Sequence, residues 1–162
     1  MSDPSAKEHA HGLATQRQLL SMSGLQFMRG ILEGKLPAPP IAKTLNFRLT
    51  DVAEGRVSFD GAPQYAAFNP MGTTHGGWYG TILDSAMGCA VMTMVPQGSV
   101  YTTLEFSVNI MRSIPAEHPV RATATVAHAG RTTAVASAQI TSLDGEKIYA
   151  IGTTTCVIMK VK

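Results

Sequence analysis

The chain has 162 residues, 44% of them hydrophobic and 15% charged, with a formal net charge of +2 at pH 7. That length favours one domain with a real core, and the balance excludes a disordered chain. The small net charge, with no Lys/Arg cluster, argues against a nucleic-acid partner; the absence of an 18-residue apolar run argues against a membrane span.

Two cysteines, Cys89 and Cys156, lack CxxC spacing. They read as small buried hydrophobes rather than zinc ligands or a redox pair, which suits a reducing cytoplasm. Residues 1–12 are polar, without the apolar core of a secretion signal, and are expected to be a disordered tail. His9 and His11 lie in that tail and read as solvated, so no metal site is expected.

Residues 13–33 have helical spacing, with Leu20, Gly24, Phe27, Met28 and Ile31 on one face. Gly34 and the prolines at 37, 39 and 40 end that helix, so residues 13–40 form a helix plus a Pro-rich linker. Residues 41–162 form the main domain. Strands are predicted at about 45–52 and 55–61, joined at Glu54-Gly55. A loop over 63–74 leads to a long apolar helix closed by Pro96 and Gly98. Four strands follow, at about 101–111, 120–128, 132–143 and 146–159, and short turns predict an antiparallel meander. In the first of these, Leu104, Phe106, Val108 and Ile110 alternate with Thr103, Glu105, Ser107 and Asn109. The expected fold is α+β: an antiparallel sheet wrapped around one long central helix, with an extra N-terminal helix.

The chemistry gathers at residues 69–95. Asp84 is the one carboxylate in the long helix, and Gly77, Gly80 and Gly88 lie at helical spacing around it. Such a smooth face implies close approach of a strand, a second subunit or a ligand. The acid itself reads equally well as a base or nucleophile and as a structural group. His75-Gly76-Gly77 sits at the helix start, where unpaired N–H groups favour negative charge and glycine admits a carbonyl oxygen. The same three residues also read as a turn whose His satisfies a neighbouring backbone group. Asn69 can donate to a ligand carbonyl or close an Asx turn with Pro70 and Gly72, and composition favours the turn.

The pattern Asn69-Pro-Met-Gly72-x-x-His75-Gly76-Gly77 followed by Leu83-Asp84-x-Ala86 resembles the hotdog-fold acyl-CoA thioesterase superfamily, in particular the phenylacetate-degradation type. The resemblance spans about residues 41–160. It implies an enzyme that hydrolyses an acyl-CoA or aryl-CoA to an acid and coenzyme A, with no separate cofactor. Asp84 would be the general base or nucleophile. The Gly76 N–H would polarise the thioester carbonyl with help from Asn69, and His75 would shape the turn. Thr103, with Thr102 as the alternative, would stand beside the acid. Gly77, Arg131 and Arg112 would contact substrate or coenzyme A. The site would be shared between subunits of a homodimer at minimum, commonly a homotetramer. Two features depart from the pattern or extend it. Gly88 stands where a related branch has Thr, and Trp78-Tyr79 read as helix anchors or pocket lining. The competing readings are a hotdog enoyl-CoA hydratase or dehydratase and a non-catalytic acyl-CoA-binding protein.

Overall fold

The computed structural model describes residues 10–161. Its centre is the long helix, which with the three leader helices is α4 (Gly76–Met92). It buries Trp78, Tyr79, Ile82, Leu83, Ala86, Met87, Ala90 and Val91. A helix apolar around most of its circumference must be covered on several sides, and one curled sheet supplies most of that cover. Its strands are β1 (Phe47–Ala53), β2 (Arg56–Gly61), β3 (Ser99–Ile110), β4 (Val120–Ala129), β5 (Thr133–Ser142) and β6 (Ile148–Lys160). Ala122, Ala124, Ala134 and Ala136 point inward and are fully buried. Such short side chains let the backbone of the sheet close onto the helix. The expected wrapped-helix architecture is therefore present.

Strand order corrects the predicted meander. The sheet runs β1-β2-β4-β5-β6-β3, antiparallel throughout. Only β4, β5 and β6 form a meander; β3 leaves its chain neighbour and pairs with β6 at an edge. The reason lies in the connection 111–119. Met111 and Arg112 N–H both donate to the Tyr149 carbonyl, and Ile114 N–H donates to the Tyr79 hydroxyl. The chain is thus carried past the start of α4, and β4 lands beside β2.

The alternation expected in β3 is also broken. Its register with β6 shifts between Thr103 and Glu105, a bulge at Leu104 that reverses the parity of the strand. Thr103 therefore faces α4 together with Phe106 and Ile110, and Leu104 is exposed.

The leader is two helices rather than one, α1 (Gln16–Leu20) and α2 (Gly24–Leu32). Thr15 with Gln18 and Ser23 with Gln26 each form a complete capping box, so Ser23 starts a new helix instead of continuing the old one. A third helix, α3 (Pro40–Thr44), occupies the expected end of the linker, with proline at its first turn. Of the predicted disordered tail, residues 1–9, including His9, lie outside the described residues. Ala10 and Gly12 both bond to the backbone of Ala38. No helix among the described residues is long and apolar enough to cross a membrane.

Candidate active site along one face of α4

His75 is the N-cap of α4. Its Nδ1 accepts from the Gly77 N–H at 2.8 Å, so the ring caps the helix and its proton belongs on Nε2. Gly77 thereby spends its N–H inside the chain. Among the described residues nothing accepts from the Gly76 N–H, and Gly76 is exposed. One donor is left pointing outward where the helix dipole is positive.

Asn69 closes the turn before the helix. Its Oδ1 accepts from Met71 and Thr73 N–H, and its Nδ2 donates to Thr73 Oγ1 at 2.8 Å. The Asx turn favoured by composition is what forms. Trp78 and Tyr79 are anchors: Trp78 Nε1 donates to the Leu45 carbonyl, and the Tyr79 hydroxyl donates to the Arg112 carbonyl.

Asp84 is half-buried, two helical turns beyond Gly76. Thr103 Oγ1 donates to its Oδ1 at 3.1 Å. Thr103, not the exposed Thr102, thus stands beside the acid, and the bulge at Leu104 is what aims it there. Of the possible partners for the glycine face, the chain's own strand β3 takes Gly80 and Gly88, whereas a Cβ at Gly77 would lie 3.0 Å from His75 Nδ1. A Cβ at Gly76 would meet Ile110 at 3.5 Å, one at Gly80 would meet Phe106 at 3.6 Å, and one at Gly88 would lie 2.5 Å from the Tyr101 hydroxyl. The departure at Gly88 has its explanation there, because any side chain would displace Tyr101.

Sequence reasoning did not single out Tyr101. The available signals were its place two residues before Thr103 and the missing side chain at Gly88. Burial holds its hydroxyl well above the ordinary range, with Cys89, Cys156 and Asp84 adding to the effect. Burial, and then the Asp84 charge, push the Cys89 thiol up to about 12. Both groups are neutral around Asp84 at physiological pH.

Gly76 and Asp84 are eight residues apart on one helix, ~12 Å at the standard rise, so one chain does not bring them to a single carbonyl. The arginines also separate. Arg112 follows Ile110, which lies against Gly76. Arg131 lies in the turn before β5, at the level where Thr133 pairs with Val157 and Val157 with Thr102, toward the other end of α4. Among the described residues no group of three or more His, Cys, Asp or Glu side chains could hold a metal ion.

Residues 71–149 match the family model of the thioesterase superfamily. Among solved structures, a thioesterase family protein from Silicibacter pomeroyi is 28% identical with a TM-score of 0.73, covering 85% of this chain and 99% of that one. A phenylacetic acid degradation-related protein from Ralstonia eutropha JMP134 is 26% identical with a TM-score of 0.74, covering 81% and 98%. The E. coli PaaI protein, at 19% identity and a TM-score of 0.71 over 86% and 94%, shares the fold. No curated protein matches the chain.

Proposed function

We propose that this chain, whose residues 71–149 match the thioesterase superfamily model and whose fold is shared with a thioesterase family protein, is a thioester hydrolase that cleaves acyl-CoA to a free carboxylic acid and coenzyme A. The observation that carries the proposal is the Asp84 carboxylate, half-buried and held by Thr103. A carboxylate held in place can take a proton from water as the water oxygen attacks the thioester carbon, or attack that carbon itself to form an anhydride that water then cleaves to the free acid and the Asp84 carboxylate. The C–S bond then breaks, and coenzyme A leaves as a thiolate and takes up a proton.

The carbonyl oxygen needs a donor while negative charge builds on it. Gly76 of a second copy is the donor in this proposal, because Gly76 of the same chain is too far along the helix. The second N–H of Asn69 can join it. A homodimer is then the smallest active unit, and a homotetramer is the fuller assembly. The edge strand β3 supports a second copy, since among the described residues its outer side is unpaired and it exposes Leu104, Phe106 and Ile110. Arg112, beside the Gly76 end, and Arg131 are proposed contacts for the phosphates of coenzyme A. The free cysteines Cys89 and Cys156 suit a reducing cytoplasm.

Thiol release measured on a panel of acyl- and aryl-CoAs tests the reading. Asp84→Asn is expected to lower kcat on the best substrate by about 10²–10⁴. Hydrolysis at the parent rate would remove Asp84 from the chemistry.

A further inference from the structure

Strand β3 runs alongside α4 and meets it once per turn. Positions 76, 80, 84 and 88 of the helix recur at four-residue spacing and share one face. Ile110 lies against Gly76, Phe106 against Gly80, Thr103 against Asp84 and Tyr101 against Gly88. Asp84 is the one position of the four with a side chain. The two hydroxyls that β3 adds to this row are the one at the acid and the one a turn beyond it. Thr103 holds the carboxylate. Tyr101 has no part in the hydrolysis described above.

The Tyr101 hydroxyl lies 2.5 Å from where a Cβ on Gly88 would stand. A Cβ tilts toward the N-terminus of its helix, so that place is on the Asp84 side of residue 88. Residues 84 and 88 are ~6 Å apart along the axis, a gap that one water making two hydrogen bonds of ~2.8 Å can bridge. Packing alone does not account for the arrangement. Glycine inside a helix costs about 1 kcal/mol against alanine, and at position 88 the hydroxyl is the atom that most closely excludes a Cβ. The titratable groups acting on the phenol are Cys89, Cys156 and Asp84. Thiols are weak hydrogen-bonding groups, whereas a carboxylate is a strong acceptor for a shared water. Among the described residues the Tyr101 hydroxyl makes no hydrogen bond, and its oxygen is not sealed from solvent. It is therefore open to a partner that solvent brings.

We propose that Tyr101 is a further catalytic residue, whose hydroxyl holds the attacking water together with the Asp84 carboxylate. The proposal rests on the acyl-CoA reading above and selects one of its two routes, attack by water. The water donates one O–H to Asp84 and the other to Tyr101 Oη, which leaves a lone pair of its oxygen for the thioester carbon. As the C–O bond forms, the first proton passes to the carboxylate. The C–S bond then breaks, the thiolate takes that proton from Asp84, and the second proton leaves with the acid. The phenol itself gives up no proton, in keeping with a hydroxyl that burial keeps neutral.

Tyr101→Phe removes the hydroxyl and keeps the ring. Thiol release by the full-length protein is measured against acyl-CoA concentration, then repeated with hydroxylamine, counting acid and hydroxamate separately. Hydroxylamine attacks as a neutral amine and needs no held water. The variant is expected to keep the parent's melting temperature and KM and to lose roughly tenfold in kcat, the order of one hydrogen bond. Its ratio of hydroxamate to acid should rise by a similar factor, whereas a merely distorted site would slow both products alike. A parent-like kcat, or a slower reaction with an unchanged product ratio, would overturn the proposal. The two readings fail differently. A parent protein that releases thiol from no acyl-CoA removes the hydrolase reading and this inference with it. A parent that hydrolyses, and still does so at full rate as Tyr101→Phe, removes this inference alone.

Discussion

At Gly76 the group of interest is a backbone N–H, and proline removes it without a change of fold. The residue is the first of α4, a position where proline is well tolerated. His75 before it has φ −66° and ψ 140°, the conformation that a following proline prefers. Gly76→Pro is expected to lower kcat by about 10²–10³, the usual loss for one oxyanion donor, with the melting temperature unchanged. Parent-like turnover would show that this N–H does not meet the carbonyl. In the proposed mechanism Thr103 acts through Asp84, to which it donates a hydrogen bond, and is a positioning residue. Thr103→Ala should lower kcat by roughly tenfold or more, since hydrogen bonds to charged groups contribute about 1.5–3 kcal/mol, and Thr103→Ser should restore it. If Ser fails where Ala fails, the methyl contact rather than the hydroxyl matters. Asp84, Gly76 and His75 were legible as candidates because their spacing is local to one turn and one helix. Tyr101 was not, since a ring lying over Gly88 depends on how a distant strand meets the helix.

Among elements, β3 and the leader differ most from what periodicity suggests. Alternation in β3 is clean over residues 103–110, yet one bulged residue reverses its parity, and no pattern of apolar and polar residues marks Leu104 as that residue. Strand existence was legible in all six cases because β-branched runs and turn residues are local signals. Strand order was not, because the 111–119 connection is held by Tyr79 and Tyr149, far away in sequence. The leader's amphipathic face was legible, and the break at Ser23 follows from the capping boxes. What that face covers became clear only from packing. At the start of α2, Gly24 N–H donates to the Val95 carbonyl at 2.9 Å, and a Cβ on Gly24 would overlap the Met92 carbonyl oxygen. That contact makes a prediction at this scale. Gly24→Ala forces the start of α2 off the end of α4 and should cost about 1–3 kcal/mol, as overpacking does. In a chain of this length that lowers the melting temperature by roughly 3–10 °C. A variant melting with the parent would show that the leader is not docked through this residue.

For the whole molecule, the proposed site draws on the central helix at two places, an N–H at its start that nothing among the described residues accepts from and a carboxylate in its middle. On the glycine face, the chain's own β3 covers Gly80 and Gly88. The case for a second copy rests instead on the ~12 Å between Gly76 and Asp84 and on the unpaired edge of β3. Mixing two inactive variants tests this most directly. Gly76→Pro and Asp84→Asn are co-expressed with different tags, and the mixed dimer is purified and assayed for thiol release. In an isologous dimer one site then has both intact groups and the other has neither. The account predicts that the mixed dimer recovers about half the parent rate per dimer, while each variant alone stays inactive. A mixed dimer as inactive as its two parents would contradict a site shared between subunits.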